Sequence, residues 1–301
     1  TLNFDQKVDV YTLEGNASAK AAVMVMPIGT RMEITDGQHR VEGIKQAIEK
    51  AEKCSTDAIG AMITFTQGTP QIHQDFADCA RTKPIASSML AVFDRRNPAN
   101  GLALDLIENC KLFAHTVDAV KKTVSARTTA VWTTNQIRVM LKWALIGSQC
   151  ADNVFTANAA DVLGSRGDEA YNNFLNGMQS TLDILAESNS TLRKLAGLTQ
   201  ERKDEIPKIR EEDASLLMTG SGLAVIGYLW FLVRKAKQED PTIDTNMLIR
   251  RIGTLNWSNN SPLFSGNLKI NPDRTQSGQK YVKAAGDTIM GEITRLGAVA
   301  A

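Results

Sequence analysis

Residues 32–51 read MEITDGQHRVEGIKQAIEKA, and this stretch decides how the first third of the chain folds. Residues 32–35 alternate apolar and polar side chains, which is the period of a strand with one buried face. From Val41 to Ala51 the apolar residues recur at helical spacing, and charged residues fill the positions between them. The sequence therefore predicts a strand that gives way to a helix across Asp36–Arg40.

The segments around this junction predict a small mixed α/β module. Val23–Met26 is a short apolar run, and Pro27 and Gly29 supply turn chemistry, so we expect two strands joined by a tight turn before the junction. Ala58–Phe65 (AIGAMITF) is a candidate buried strand. Pro70–Ala80 is a candidate helix with proline in its first turn.

Beyond about Asn97 the strand signals fade and helical periodicity dominates. Six segments carry it, separated by connections rich in Asn, Ser, Gly and Pro: Gly101–Ala114, Thr134–Ile146, Glu169–Glu187, Lys208–Lys237, Thr245–Ile252 and Ser277–Leu296. We therefore predict an α+β fold, in which a small mixed α/β module (residues 1–98) packs on a larger, mostly helical domain (residues 99–301).

Composition narrows the class of protein. The 301 residues include 34 Lys and Arg against 33 Asp and Glu, and 43% of them are apolar. This composition is that of a globular protein and excludes collagen-like, low-complexity and mucin-like chains. A net charge of +1 lacks the overall basic excess of many nucleic-acid binders, so any such surface must come from local placement of charge.

The cysteines and the first residues of the chain indicate the cellular compartment in which the protein is expected. The four cysteines (positions 54, 79, 110 and 150) form no CxxC pair, so we expect reduced thiols in a cytoplasmic protein and neither a zinc site nor a disulfide framework. The first residues show no charged-then-apolar leader, which leaves secretion unsupported. Because the chain starts at Thr1 rather than Met, we expect the native N-terminus to precede it.

The run Leu216–Val233 (LLMTGSGLAVIGYLWFLV) has two interpretations. It is 18 residues long without a charge and is followed by basic residues, which suits a membrane span of minimum length. Its glycine and serine residues dilute the hydrophobicity, and no second such run occurs. A helix buried in a helical core is the favoured interpretation, and we expect no contact with a membrane.

The junction Asp36–Arg40 has the residue types of an anion site. Gly37 permits a tight turn, the helix N-terminus presents backbone N–H groups, and Arg40 adds a forked cation, which together suit a phosphate or carboxylate. Asp36 is suited to holding a metal or a ribose hydroxyl, and His39 to donating to a phosphate or positioning water. The alternative is purely structural, because Thr35-x-x-Gln38 is also a capping box.

The string Asp36-Gly37-Gln38-His39-Arg40 resembles the motif of the DGQHR-domain family, which includes the DndB proteins of bacterial DNA sulfur-modification (phosphorothioation) systems. Gln74–Pro98 is similar to the family's second conserved stretch, but departs from it at Ala80–Arg81, where an Asn-Arg or Asn-Lys pair is usual. Leu216–Val233, Asn256–Ser258 and Pro262–Gly266 resemble later family regions, so the resemblance spans nearly the whole chain.

The same junction is similar to the turn of the ParB/sulfiredoxin superfamily, which holds nucleotide phosphates. This resemblance implies a ParB-like N-terminal module that binds ATP with Mg²⁺ and, for a DndB-like protein, ATP hydrolysis, DNA binding and control of the modification operon. The implied catalytic residues are Asp36, Gln38 and His39, with Asp36 as metal ligand. The implied nucleotide-binding residues are Gly37, Gln38, Arg40, Gln74, Asp78, Asp94, Arg95 and Arg96, without a P-loop.

A local excess of basic residues predicts where DNA would bind. Lys111–Lys142 contains six cations against the single acid Asp118, with interleaved Ser and Thr hydroxyls that commonly reach phosphate oxygens. We expect DNA contacts from Lys121, Lys122, Arg127, Arg138 and Lys142. The alternative is a solvated basic helix face, because clustering in sequence does not ensure clustering in space.

Two other classes of function stay open at this point. In the first, the chain is an ATPase subunit that supports a partner DNA-modifying enzyme, for example in 7-deazaguanine insertion. In the second, it is an interaction protein with a vestigial nucleotide site. The expected partners are DNA and other proteins of the modification system, and a homo-oligomer is compatible with the sequence.

Overall fold

A computed structural model gives the fold of the chain as two compact units, residues 1–86 and 87–301. The structure describes residues 2–4, 8–12, 22–30, 32–34, 37–51, 55–56, 58, 60–61, 63–65, 69–80, 94–119, 121, 123–125, 127–269 and 275–299. We call the two units the N-terminal unit and the helical unit. The predicted α+β class with a mostly helical body is confirmed.

Five short strands belong to the N-terminal unit: β1 (Leu2–Phe4), β2 (Asp9–Thr12), β3 (Ala22–Val25), β4 (Glu33–Ile34) and β5 (Ile63–Phe65). They form a three-stranded sheet of order β4-β1-β5 and a two-stranded sheet of β2 and β3. In the larger sheet β1 is antiparallel to β4 and parallel to β5. β2 and β3 are antiparallel.

The tight turn predicted before the junction is present. The Thr30 N–H donates to the Pro27 carbonyl at 3.1 Å, and Gly29 has φ +91°, which is the glycine conformation of a type II turn. The strands on either side of it, β3 and β4, do not pair with each other, since β3 pairs with β2 and β4 with β1. Turn chemistry is local, whereas pairing depends on residues earlier in the chain.

The predicted strand Ala58–Phe65 is shorter in the structure, which places only Ile63–Phe65 in β5. Two helices complete the N-terminal unit. Helix α1 spans Gln38–Lys50, and helix α2 spans Thr69–Ala80 with Pro70 in its first turn, as the sequence predicts.

The described part of the helical unit contains α3 (Pro98–Asn109), α4 (Thr134–Ile146), α5 (Asp152–Leu163), α6 (Glu169–Ser188), α7 (Ser190–Ala196), α8 (Ile206–Asp213), α9 (Gly220–Glu239), α10 (Thr245–Thr254) and α11 (Gln279–Val299). Two short parallel strands, β6 (Val117–Asp118) and β7 (Trp132–Thr133), pair beside them. Helices α5 and α7 were not predicted. The helix expected to reach Ala114 ends at Asn109, after which residues 111–116 form turns.

Helix α9 lies at the centre of the helical unit. A Cβ at Gly227 would overlap the backbone oxygen of Met140 on α4, so the two helices approach at backbone distance there. Trp143 of α4 packs edge-on against Tyr228, with ring centroids 5.3 Å apart. On another side Tyr228 lies against Gly286 of α11 and donates to Asp287 at 2.9 Å.

The single helix predicted for Lys208–Lys237 is wrong, because the structure breaks it into α8, a 3-10 turn (Leu216–Met218) and α9. Ala214 ends α8 with φ +41°, and Thr219 caps the start of α9 by accepting from the Gly222 N–H at 3.0 Å. The Leu216 N–H donates to the Trp257 carbonyl at 2.8 Å, so a distant segment takes a backbone bond that a continuous helix needs.

The run Leu216–Val233 is almost entirely buried, which confirms the core interpretation. None of the described helices is long and apolar enough to cross a membrane. Cys110 and Cys150 are free thiols, and burial raises the pKa of Cys110 to about 11. Cys54 and the side chain of Cys79 lie outside the described residues.

Candidate functional site

Gly37 occupies the N-cap position of α1. Its φ of +107° and ψ of 12° lie in the left-handed region, where a residue with a Cβ is strained. The Val41 N–H donates to the Gly37 carbonyl at 2.9 Å and closes the first helical turn. Gly37 itself has no side chain that could cap the helix, so the N-cap residue leaves the first-turn N–H groups without a side-chain acceptor of its own.

Three side chains of the motif surround this turn. The Arg40 guanidinium lies over Gly37, since a Cβ built there would be 3.6 Å from Arg40 Nε. The Gln38 amide nitrogen donates to the Ile34 carbonyl at 3.2 Å, which ties the helix start to β4. His39 is exposed. The structure thus brings a backbone cradle, a guanidinium and two polar side chains together at one exposed helix start.

The motif's first residue, Asp36, lies outside the described residues, and so does its predicted role as metal ligand and catalytic residue. The capping-box alternative required Thr35 at the N-cap with Gln38 three residues into the helix. The structure instead places Gly37 at the N-cap and Gln38 in the first helical position. The helix start is therefore not built as that capping box.

The predicted residues Gln74 and Asp78 lie on α2, within the same unit. Gln74 is buried and its amide nitrogen donates to Asp78 Oδ1 at 3.3 Å. One turn earlier, Gln71 donates to Asp75 at 2.8 Å, and Thr64 of β5 donates to the same carboxylate at 3.4 Å. The polar face of α2 is thus a hydrogen-bonded surface that joins the helix to the sheet, not a freely solvated one.

Asp94, Arg95 and Arg96 belong to the helical unit, immediately before α3. Arg95 Nη1 donates to Glu108 Oε2 at 3.0 Å, and Nη2 contacts the other carboxylate oxygen. The hydrogen bond with Glu108 raises the pKa of Arg95. The pair links the segment before α3 to the last turn of that helix. Because Glu108 already compensates its charge, Arg95 is a poor candidate for phosphate.

The predicted basic segment is not one surface. Lys111, Lys121 and Arg127 are exposed, and Lys122 lies outside the described residues. Lys121 Nζ lies 3.3 Å from Asp118 Oδ2, a surface pair that phosphate can replace at little cost. Arg138 and Lys142, on α4, are only 5% and 8% exposed and both pair with Asp152 at the start of α5. Helical periodicity turns these two cations inward, so they are not available for DNA in this structure.

Asp152 is the shared counter-ion of that pair. Arg138 Nη1 lies 3.3 Å from Asp152 Oδ2, Lys142 contacts Oδ1, and Lys142 also donates to the Cys150 carbonyl at 3.3 Å. Partial burial acts to raise the pKa of Asp152, but the two cations outweigh it and leave the pKa below its usual value. The cluster joins α4 to α5 and has a structural role.

Arg210 was not predicted and supports the exposed part of the basic segment. From α8 its guanidinium donates to the carbonyls of Ser125 at 3.3 Å and Ala130 at 2.8 Å. Burial lowers the pKa of Arg210. These bonds hold the loop that presents Lys121 and Arg127, and no local sequence pattern indicates a contact made across 80 residues.

A second unpredicted cluster surrounds Asp105, a buried carboxylate on α3. Arg166 donates to both of its oxygens, at 2.8 and 2.7 Å, and the Tyr171 hydroxyl donates to Oδ2 at 2.7 Å. Burial and the adjacent carboxylate raise the pKa of Tyr171. Every polar atom of this carboxylate is thereby engaged in joining α3 to the start of α6, which is a structural task.

The model of the DndB family, described as DNA-sulfur modification-associated, matches residues 1–294. The chain belongs to the DndB family. No curated protein and no solved structure matches it significantly.

Membership of the DndB family associates the chain with DNA sulfur modification and confirms the resemblance inferred from the DGQHR string. It points to DNA and the other proteins of that system as partners. The match runs through both units, so it includes the Gly37 turn, the loop around Arg127 and helix α9. Among the described residues of this DndB-family chain, no group of three or more His, Cys, Asp or Glu side chains is arranged to hold a metal ion.

Proposed function

We propose that the chain is a DndB-family accessory protein that binds DNA and binds and hydrolyses ATP at the turn of Gly37. The observation that carries the nucleotide part is the start of α1, where a left-handed glycine opens an exposed helix under the Arg40 guanidinium. The DNA part rests on the exposed loop of Lys121 and Arg127 together with family membership.

The residues at the turn fit a nucleotide phosphate. A Cβ at Gly37 would be strained and would stand between the helix start and Arg40, so the glycine keeps the backbone open to an anion. Backbone N–H groups of the first turn donate to phosphate oxygens, and the Arg40 guanidinium pairs with them in a forked geometry. This pairing does not use a P-loop.

Mg²⁺ would neutralise phosphate charge, and it ordinarily binds through phosphates, water and only one or two carboxylates. Such a site does not require a cluster of three protein ligands, and Asp36, which precedes Gly37 in the sequence, would be the one carboxylate. The Gln38 amide nitrogen is taken by Ile34, which leaves its carbonyl oxygen to accept from an attacking water. The exposed imidazole of His39 is the second group suited to orient that water.

The test of nucleotide binding is the substitution Arg40→Ala, with Lys45→Ala as matched control. Both cations are exposed on α1, but Lys45 lies a turn and more away and is only 4.0 Å from Glu42. Titration with ATP and Mg²⁺, followed by melting temperature and calorimetry, should show a loss of affinity of about tenfold or more for Arg40→Ala. Lys45→Ala should bind like the unmodified protein.

Equal ATP affinity in the unmodified protein and in a folded Arg40→Ala variant would contradict the proposal. A complete lack of any nucleotide-induced rise in melting temperature would also contradict it and would favour an interaction protein with a vestigial site.

The test of DNA binding is the double substitution Lys121→Ala with Arg127→Ala, measured by gel shift of the isolated protein on duplex DNA. Lys235→Ala with Arg250→Ala is the matched control, because these two cations are also exposed but lie on α9 and α10. Loss of two phosphate contacts should weaken binding and lower the slope of log affinity against log salt by about two. An unchanged slope, or DNA binding only in the presence of a partner, would contradict the proposed surface.

A further inference from the structure

A groove in the helical unit is separate from both proposed sites. It lies between α5, α6, α9 and α10 and has a volume of about 550 Å³, which is the size of a small-molecule site. All of its lining residues belong to the helical unit, whereas the Gly37 turn belongs to the N-terminal unit. It also lies on helices other than the loop of Lys121 and Arg127.

Two cations line this groove, and neither has a carboxylate ion-pair partner among the described residues. Arg234 is half-buried on α9, and its Nη1 donates to the Ala144 carbonyl at 3.2 Å. Lys237, one turn later, donates to the carbonyls of Pro241 at 2.6 Å and Ile243 at 2.9 Å. No Asp or Glu is among the described residues that line the groove. The charge of the lining itself is therefore positive. Outside the lining, the hydrogen bond from Thr242 and the charge of Lys237 lower the pKa of Asp240.

The Arg234 guanidinium is held in a fixed position by aromatic rings. Its central carbon lies 4.8 Å from the centroid of the Trp230 ring and 5.2 Å from that of Phe174. The two rings pack edge to face, with centroids 4.7 Å apart, and Gly177 gives Trp230 the room to do so. Burial lowers the pKa of Arg234, and no acid acts in the opposite direction. A guanidinium has five N–H donors, so one bond to a carbonyl leaves most of its capacity for a ligand.

The rest of the lining defines what kind of anion fits. Asn173, Ser180 and Asn246 provide neutral donors, whereas Val162, Val233 and Ile249 provide an apolar wall. A lining that combines two cations with neutral donors and contains no acid favours a ligand with a carboxylate or phosphate head group. An apolar wall of this kind favours an attached aliphatic part.

We propose that this groove binds a small organic anion, with a carboxylate or phosphate head group on Arg234 and Lys237 and an aliphatic part against the apolar wall. The site goes beyond the proposed nucleotide and DNA functions, because it uses none of their residues. Carboxylates and phosphates share the chemistry that the two cations recognise, and an experiment with separate series distinguishes them.

The experiment is a titration of the full chain with two series of probes: acetate, butyrate and hexanoate, and inorganic phosphate and butyl phosphate. Quenching of tryptophan fluorescence and calorimetry report binding, since Trp230 lines the groove. In the series that binds, affinity should rise with alkyl length, by up to about fourfold per methylene that becomes buried. Arg234→Gln should weaken binding by about tenfold or more, and Lys237→Gln by less.

Lys235→Gln is the matched control, because Lys235 lies on the same helix but is exposed and 3.7 Å from Glu239. It should bind like the unmodified protein. If Arg234→Gln does not fold, Lys237→Gln alone carries the test. The proposal is overturned if neither series binds at millimolar concentration, or if the glutamine variants bind as well as the unmodified chain. It is also overturned if Arg40→Ala abolishes anion binding, because the anion then occupies the Gly37 turn.

Discussion

Helices α1 and α9 both lie in segments for which the sequence predicts a helix, yet they are used in opposite ways. None of the 13 residues of α1 is buried, whereas eleven of the 20 residues of α9 are. A Cβ at Gly43 of α1 would meet no atom of the described residues within 4 Å, but one at Gly227 of α9 would overlap the backbone of α4. Both glycines lie inside helices, but only Gly227 is in close contact with a neighbouring helix.

This difference separates the parts that stabilise the chain from the part that carries its most distinctive motif. Burial of large apolar side chains supplies most of the free energy of folding, and it is concentrated around α9. The DGQHR turn stands at the start of the exposed helix. Substitutions at the turn should therefore change binding much more than stability, and substitutions in α9 the reverse.

The largest expected difference in unfolding free energy is that between alanine substitutions at these two glycines. Gly227→Ala places a methyl group against the Met140 backbone oxygen, which cannot move without shifting α4, so we expect a loss of about 3 kcal/mol or more in unfolding free energy. Gly43→Ala meets no atom of the described residues and removes the helix penalty of glycine, so we expect a gain of up to about 1 kcal/mol. Urea denaturation followed by circular dichroism measures both.

Similar effects of the two substitutions would contradict the distinction between the helices. Alanine at Gly227 that is tolerated within about 0.5 kcal/mol would show that α4 and α9 can separate locally at little cost.

The elements that local pattern predicted are those whose cause is local. The turn at Pro27 and Gly29, the proline start of α2 and the amphipathic helix α1 follow from turn chemistry and periodicity. The pairing of β4 with β1, and the break between α8 and α9, depend on partners far along the chain. The Trp257 carbonyl, which takes the Leu216 N–H, is a partner that periodicity does not reveal.

The same distinction applies to the sites. The motif at Gly37 is contiguous, so the sequence could indicate the turn and the position of Arg40 above it. The basic segment is contiguous too, but helical phase turns Arg138 and Lys142 toward Asp152 and away from Lys121 and Arg127. From the sequence, Arg234 is only one of the basic residues that follow the apolar run Leu216–Val233. Its spacing of four from Trp230 was the one signal of a cation over an aromatic ring.

An intermediate loss of stability is expected from removing an ion pair, and it should be larger for the buried cations of α4 than for the exposed pair on α1. Asp152→Asn leaves Arg138 and Lys142, which are 6% and 10% exposed in their side chains, without a counter-ion. Because Asp152 itself is half-exposed and water can partly replace it, we expect a loss of about 1–2 kcal/mol at neutral pH, less than for a fully buried pair. Glu42→Gln on α1 removes an exposed pair and should change stability by less than about 0.5 kcal/mol.

The cost of Asp152→Asn should also depend on pH. The folded-state pKa of Asp152 lies below its ordinary value, so its carboxylate stabilises the fold above the ordinary pKa near 4, and this contribution is lost as pH falls through the folded-state pKa. The difference between variant and unmodified protein should therefore shrink below about pH 4. Denaturation curves at several pH values measure it, and a difference that stays constant would show that the charge of Asp152 is not what matters.

The smallest expected effect concerns how the two helices begin. Thr219 caps α9, since its hydroxyl accepts from the Gly222 N–H at 3.0 Å and donates to the Leu216 carbonyl at 2.7 Å. Thr219→Ala removes both bonds and should cost about 1 kcal/mol, while Thr219→Ser keeps the hydroxyl and should cost less. On α1, Gln38→Ala removes one exposed bond to Ile34 and should cost a few tenths of a kcal/mol. Thermal denaturation of the three variants measures the order, and a cost for Gln38→Ala that equals that of Thr219→Ala would show that the start of α1 is as firmly held as that of α9.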